Sequence, residues 1–129
     1  MEQDTEGLER LKWSMFDCPY QKGSGYRLME RAPVLILDQI AKEQRLRFDV
    51  ELGYVSPRYA EVIGLISSDP HRAGLAVRVR ILNSKKRMQL VKNLILYGVS
   101  RIALSRQTVY YDLDPLAKDQ DWLGLWDVR

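Results

Sequence analysis

SSDPHRAGLAVRV, residues 67–79, joins a polar turn carrying the chain's single histidine, His71, to the start of an alternating run. Continued to residue 82, that run puts Leu75, Val77, Val79 and Ile81 on one side and Ala76, Arg78, Arg80 and Leu82 on the other. A period of two is the mark of a half-buried strand. What lies on either side of this strand sets the fold class.

Toward the N-terminus, Ser56 and Pro57 predict a short helix through RYAEVIGL, with the serine as cap and the proline in the first helical position. Before it, LRFDVEL at residues 46–52 alternates again, with Leu46, Phe48, Val50 and Leu52 on one side, and predicts a second strand. A helix precedes that strand. Pro33 suits its first turn, Val34, Leu37, Ile40 and Ala41 form one apolar stripe, and it should end near Arg45. Toward the C-terminus, Asn83 or Ser84 caps a long helix whose inward stripe is read as Met88, Val91, Leu94 and Ile95, with Gly98 as the stop. Residues 101–105 and 108–113 then read as two short strands. Arg106 and Gln107 form the hairpin turn between them, without the usual glycine.

The order is helix, strand, helix, strand, helix, strand, strand. It predicts an α+β domain in which a small, mainly antiparallel sheet packs with about three helices. Residues 1–12 read as an N-terminal arm and residues 13–129 as a single domain. WSMFDCPYQKGSGYR, residues 13–27, reads as an irregular segment that packs and then turns. The tail from residue 114 reads as mostly irregular, with Trp122 and Trp126 as packing anchors.

A length of 129 residues, 46% hydrophobic and 29% charged, fits one globular domain and neither a disordered nor a fibrous chain. The lone cysteine, Cys18, has no partner for an internal disulfide and no neighbour to activate it, so it reads as a small packing residue compatible with a reducing compartment. MEQDTEGLERLKW is acidic and polar where a secretory signal needs a basic patch and an apolar core. No apolar run reaches membrane-spanning length. The net charge of +3 conceals an asymmetry: from Arg72 to Arg106 there are nine lysines and arginines and no Asp or Glu. Such a block fits nucleic acid, a polyanionic wall polymer or an acidic protein face, and equally the solvated face of one helix and its flanking strands. Nucleic acid is the least supported of these, because no recognition motif and little aromatic interleaving accompany the charge.

Four stretches align with one family. WSMFDCPYQKGSGYRLM looks like the aromatic-rich opening of phage-type members, GYVSPRYAEVIG like "SGYRSPEYNRxVGG", HRAGLAVRV like "HxxGxAxDI", and GVSRIALSRQTVYYDLDP like "GFxRIGIxxxFVHVDxDP". The chain thus resembles the zinc D-Ala-D-Ala carboxypeptidases and phage endolysin peptidases, whose fold the amino-terminal Hedgehog domain also resembles, from about Trp13 to Trp126. The resemblance implies that fold and three zinc ligands, which fall here on His71, Arg78 and Tyr110. Only the first is a ligand type.

A guanidinium stays protonated and has no lone pair to give, so Arg78 puts positive charge where the family puts a ligand to a cation. Tyr110 replaces an imidazole by a phenol with an ordinary pKa of about 10. Gln107 stands where several relatives carry the general base, and an amide cannot accept that proton. Val55 replaces the arginine that holds the substrate carboxylate, and Asp69 replaces a serine. Gly53, Tyr54, Pro57, Gly74, Ala76, Gly98 and Asp112 are kept.

The resemblance therefore implies a catalytically inactive peptidase-like domain acting as a structural or binding protein without a cofactor. It also implies a phage virion component, in head decoration, tail or baseplate, with protein partners in a larger assembly, located in the virion or host cytoplasm. The alternatives are a zinc-dependent peptidoglycan peptidase and a wall-binding module that does not hydrolyse. A metal site rebuilt from His71, Asp69 and Asp112 is the chemistry the first would need. Arg78, Asp112, Asp69, Arg72 and Arg80 are the binding candidates, with Asp112 or Asp69 expected to pair with Arg78. His71 also reads as a hydrogen-bonded structural residue.

Overall fold

The computed structural model describes residues 2–115 and the backbone of residues 122–125. The chain forms an α+β domain. Its helices are α1 (Ser24–Leu28), α2 (Arg31–Gln44), α3 (Pro57–Ile63) and α4 (Ser84–Leu96), and its strands are β1 (Asp49–Leu52), β2 (Ala76–Arg80), β3 (Arg101–Leu104), β4 (Thr108–Asp112) and β5 (Trp122–Leu125). The strands form one sheet in the order β1-β2-β4-β3-β5, antiparallel except for β5, which runs parallel to β3. No helix among the described residues is long and apolar enough to cross a membrane.

Local signals explain most boundaries. The Ser56 side chain accepts from the Tyr59 N–H at the start of α3, with Pro57 in its first turn, and Asn83 does the same for Lys86 in α4. The α2 helix ends on Arg45, whose φ of 55° closes it in the left-handed conformation. The glycine-free hairpin is solved by a hydroxyl. Ser105 Oγ accepts the Thr108 N–H at 2.9 Å and contacts Thr108 Oγ1 at 2.6 Å, while Arg106 and Gln107 keep negative φ.

One face of the sheet, with Val77, Val79, Ile102, Val109 and Tyr111, is covered by α2 and α4. Val34, Leu37 and Ile40 of α2 and Leu90, Val91 and Leu94 of α4 are buried there with Trp13 and Phe16. Tyr111 donates to the Pro33 carbonyl at 2.7 Å, tying the central strand to the start of α2. The opposite face carries Ala76, Arg78, Thr108, Tyr110, Asp112, Arg101 and Ala103, which the register places together.

Several expectations need correction. Met88 and Ile95 are exposed, at 56% and 52%, and Leu90 joins Val91 and Leu94 on the inward stripe. Alternation fails in β1, where a bulge between Val50 and Leu52 turns Leu52 onto the face of Arg78, into a small cluster with Val55 and Ala60. Residues 122–125, read as part of an irregular tail, form β5. The expected packing of the Trp122 and Trp126 rings lies outside the described side chains.

Residues 2–12, read as an arm, are bound to the domain. The buried Asp38 carboxylate accepts the backbone N–H groups of Glu9, Arg10 and Leu11 at 2.8–2.9 Å. Leu11 enters the core, and the Trp13 indole donates to the Glu6 carbonyl.

Candidate functional site

The site is built where the loop before α3 meets the 3-10 turn at Pro70–Ala73. Asp69 caps this turn, its carboxylate accepting the His71 N–H at 2.9 Å. Gly74 closes it at φ 72°, in a place where a Cβ would lie 2.3 Å from the Leu28 carbonyl oxygen. The His71 carbonyl accepts from Val55 N–H, and the His71 ring faces the Gly53 carbonyl with Nδ1 at 2.9 Å. A carbonyl only accepts, so Nδ1 carries the proton and Nε2 holds the lone pair. Gly53 is held against Phe16, where a Cβ would come within 2.7 Å of backbone.

His71 is buried, and this desolvation pushes its pKa below the ordinary histidine value. Its ring meets that of Tyr110 edge-on at 5.5 Å. Strand register sets Tyr110 opposite Arg78 on one side and Ala103 on the other. Burial first, then its hydrogen bond to Asp112, raises the Tyr110 pKa far above that of a free phenol, so the group stays protonated. Its hydroxyl donates to Asp112 Oδ2 at 2.5 Å. Asp112 Oδ1 lies 2.9 Å from Arg101 Nε and also accepts the Asp114 N–H.

Arg78 does not pair with Asp112 or Asp69. Its Nε lies 2.7 Å from Glu51 Oε1, with both side chains about one-third exposed. The N–H is misaligned with that oxygen, so the contact is a close ion pair without a well-formed hydrogen bond. Two guanidinium–carboxylate pairs thus share one sheet face. One, Arg78–Glu51, is about one-third exposed, and the other, Arg101–Asp112, is largely buried.

The structure brings His71, Tyr110, Arg78 and Asp112 into one neighbourhood. Asp69 and Arg72 instead wall a depression beside it, together with Ser68, Arg101 and Asp114. Gln107 is exposed in the hairpin turn, about 10 Å up the strand from Tyr110 at 3.4 Å per residue. Arg80 is exposed at the same end. Glu51 and Arg101 were not singled out from the sequence. Alternation puts Glu51 on the polar side of β1, and it meets Arg78 because β1 pairs with β2 in a register that local sequence does not announce; Arg101 carries only the weak signal of a charge at the start of a strand.

The donor set does not fit a zinc ion. Arg78 is a guanidinium already paired with Glu51, the phenol of Tyr110 is protonated and donates to Asp112, and the Asp69 and Asp112 carboxylates already accept from protein groups. Among the described residues no three His, Cys, Asp or Glu side chains converge on one point. In comparisons with protein-family models, curated proteins and solved structures, nothing matches this chain.

Proposed function

We propose that this chain is a peptidase-like domain without catalysis, kept as a structural or binding protein, and that it belongs to a phage particle as a head-decoration, tail or baseplate-associated subunit. The observation that supports the loss of catalysis is the Arg78–Glu51 ion pair seated in a ligand position, beside a phenol that stays protonated and donates to Asp112. A three-ligand catalytic zinc needs lone pairs at those positions to hold the ion and acidify its water. The virion assignment rests on the phage-type opening segment and on the basic block, which suits docking to an acidic protein shell.

The test has two arms. Purified protein loaded with zinc and then dialysed is expected to retain no stoichiometric metal by plasma mass spectrometry and to release no new amino groups from peptidoglycan. Bound metal with chelator-sensitive cleavage would overturn the loss of catalysis. Proteomics of gradient-purified particles is expected to find the chain at a fixed ratio to the shell proteins. Its absence there, with retention on intact sacculi, would replace the virion reading by wall binding.

A further inference from the structure

The α4 helix is apolar on two sides. At 3.6 residues per turn, Leu90, Val91 and Leu94 point to the core, whereas Met88, Ile95 and Leu96 lie roughly 130° further round the helix. The outer three are 56%, 52% and 73% exposed, and a shallow depression runs along them. An ordinary surface helix has one apolar stripe, and further exposed apolar residues beyond it, here on either side of Lys92, mark a face that another surface covers.

Charge identifies the occupant. Lys85, Lys86 and Lys92 border the depression, all exposed and, among the described residues, without an ion-pair partner. No acidic residue lies between Arg72 and Arg106. A second copy joined through α4 about a two-fold axis would set lysine against lysine, which opposes self-association. The concave, methionine-containing surface takes the ridge of a helix.

We infer that the outer face of α4 is a docking surface for an acidic amphipathic helix of a partner protein, its apolar residues seated on Met88, Ile95 and Leu96 and its carboxylates facing Lys85, Lys86 and Lys92. This surface lies across the sheet from His71 and Arg78, so it stands whether or not the cleft is catalytic.

The test uses the full chain and a designed helical peptide with leucines at i, i+3 and i+7 flanked by glutamates, followed by amide NMR and calorimetry. Saturable shifts confined to residues 83–97 are expected, with affinity falling by at least about tenfold in Ile95→Glu and in Lys92→Glu. A peptide with lysines in place of the glutamates should bind only the Lys85→Glu/Lys92→Glu variant. The inference is overturned if the acidic peptide leaves α4 unshifted or if a scrambled acidic peptide binds equally well. It is also overturned if anionic phosphatidylserine vesicles rather than the peptide perturb α4, or if the chain self-associates through it. Because the altered side chains are exposed, an unchanged melting temperature separates lost binding from lost fold.

Discussion

Arg78 and Arg101 lie on the same sheet face, yet their carboxylate partners differ in surroundings, and this difference decides what each arginine contributes. Glu51 and Arg78 share solvent, so screening limits their attraction. Arg78→Ala is expected to lower stability in urea unfolding by less than about 1 kcal/mol. Asp112 is fully buried, and Arg101→Ala leaves its charge uncompensated beside Tyr110. That substitution is expected to lose about 3 kcal/mol in the same assay. Equal losses would mean that the two pairs are equivalent. His71 supplies a pH signature. Its folded pKa lies below the unfolded value near 6.5, so the unfolded chain binds a proton that the folded chain refuses. Stability is therefore complete above about pH 7 and falls as the pH drops through about 6.5. Thermal melts from pH 7.5 to 5.5 should show the decline, and His71→Gln should remove that component.

At the scale of elements, α4 separates the two kinds of apolar residue that periodicity alone confounds. Leu94→Ala is expected to lose about 2–5 kcal/mol, whereas Ile95→Ala should stay within about 0.5 kcal/mol of the parent. One chemical denaturation series measures both. Met88 and Ile95 read as inward because each stands three or four residues from the buried Val91, at the edge of the core stripe. The β1 strand failed differently. A bulge adds a residue to one strand, and no residue type in LRFDVEL announces it. The caps at Ser56 and Asn83 were legible because a cap is a contact within three residues of chain. The short helix α1 and the strand β5 were not, since α1 rests on Asp17 accepting the Gly23 and Gly25 N–H groups and β5 on pairing with β3.

At the scale of the molecule, Asp38 joins the first dozen residues to the second helix. Three backbone donors converge on one buried carboxylate, so Asp38→Ala leaves all three without their acceptor. Hydrogen exchange at Glu9, Arg10 and Leu11 is expected to accelerate by at least about tenfold, while amides of β2 and β4 keep their protection. Uniform acceleration throughout would instead show that the segment and the domain open as one unit.

Alternation, helical stripes, caps and the glycine at the end of α4 were enough to determine an α+β domain with a mainly antiparallel sheet, because each acts between residues a few positions apart. The neighbourhood of His71, Arg78 and Tyr110 came instead from the positions that the family resemblance implies, and alternation added only that Tyr110 and Asp112 lie on one side of their strand. The tertiary structure alone decided which charges meet. Glu51 reaches Arg78 through the pairing of β1 with β2, Arg101 reaches Asp112 through strand register, and Asp38 captures the first dozen residues from across the domain. Such pairings depend on distances in space between residues far apart in the chain, which local periodicity does not encode.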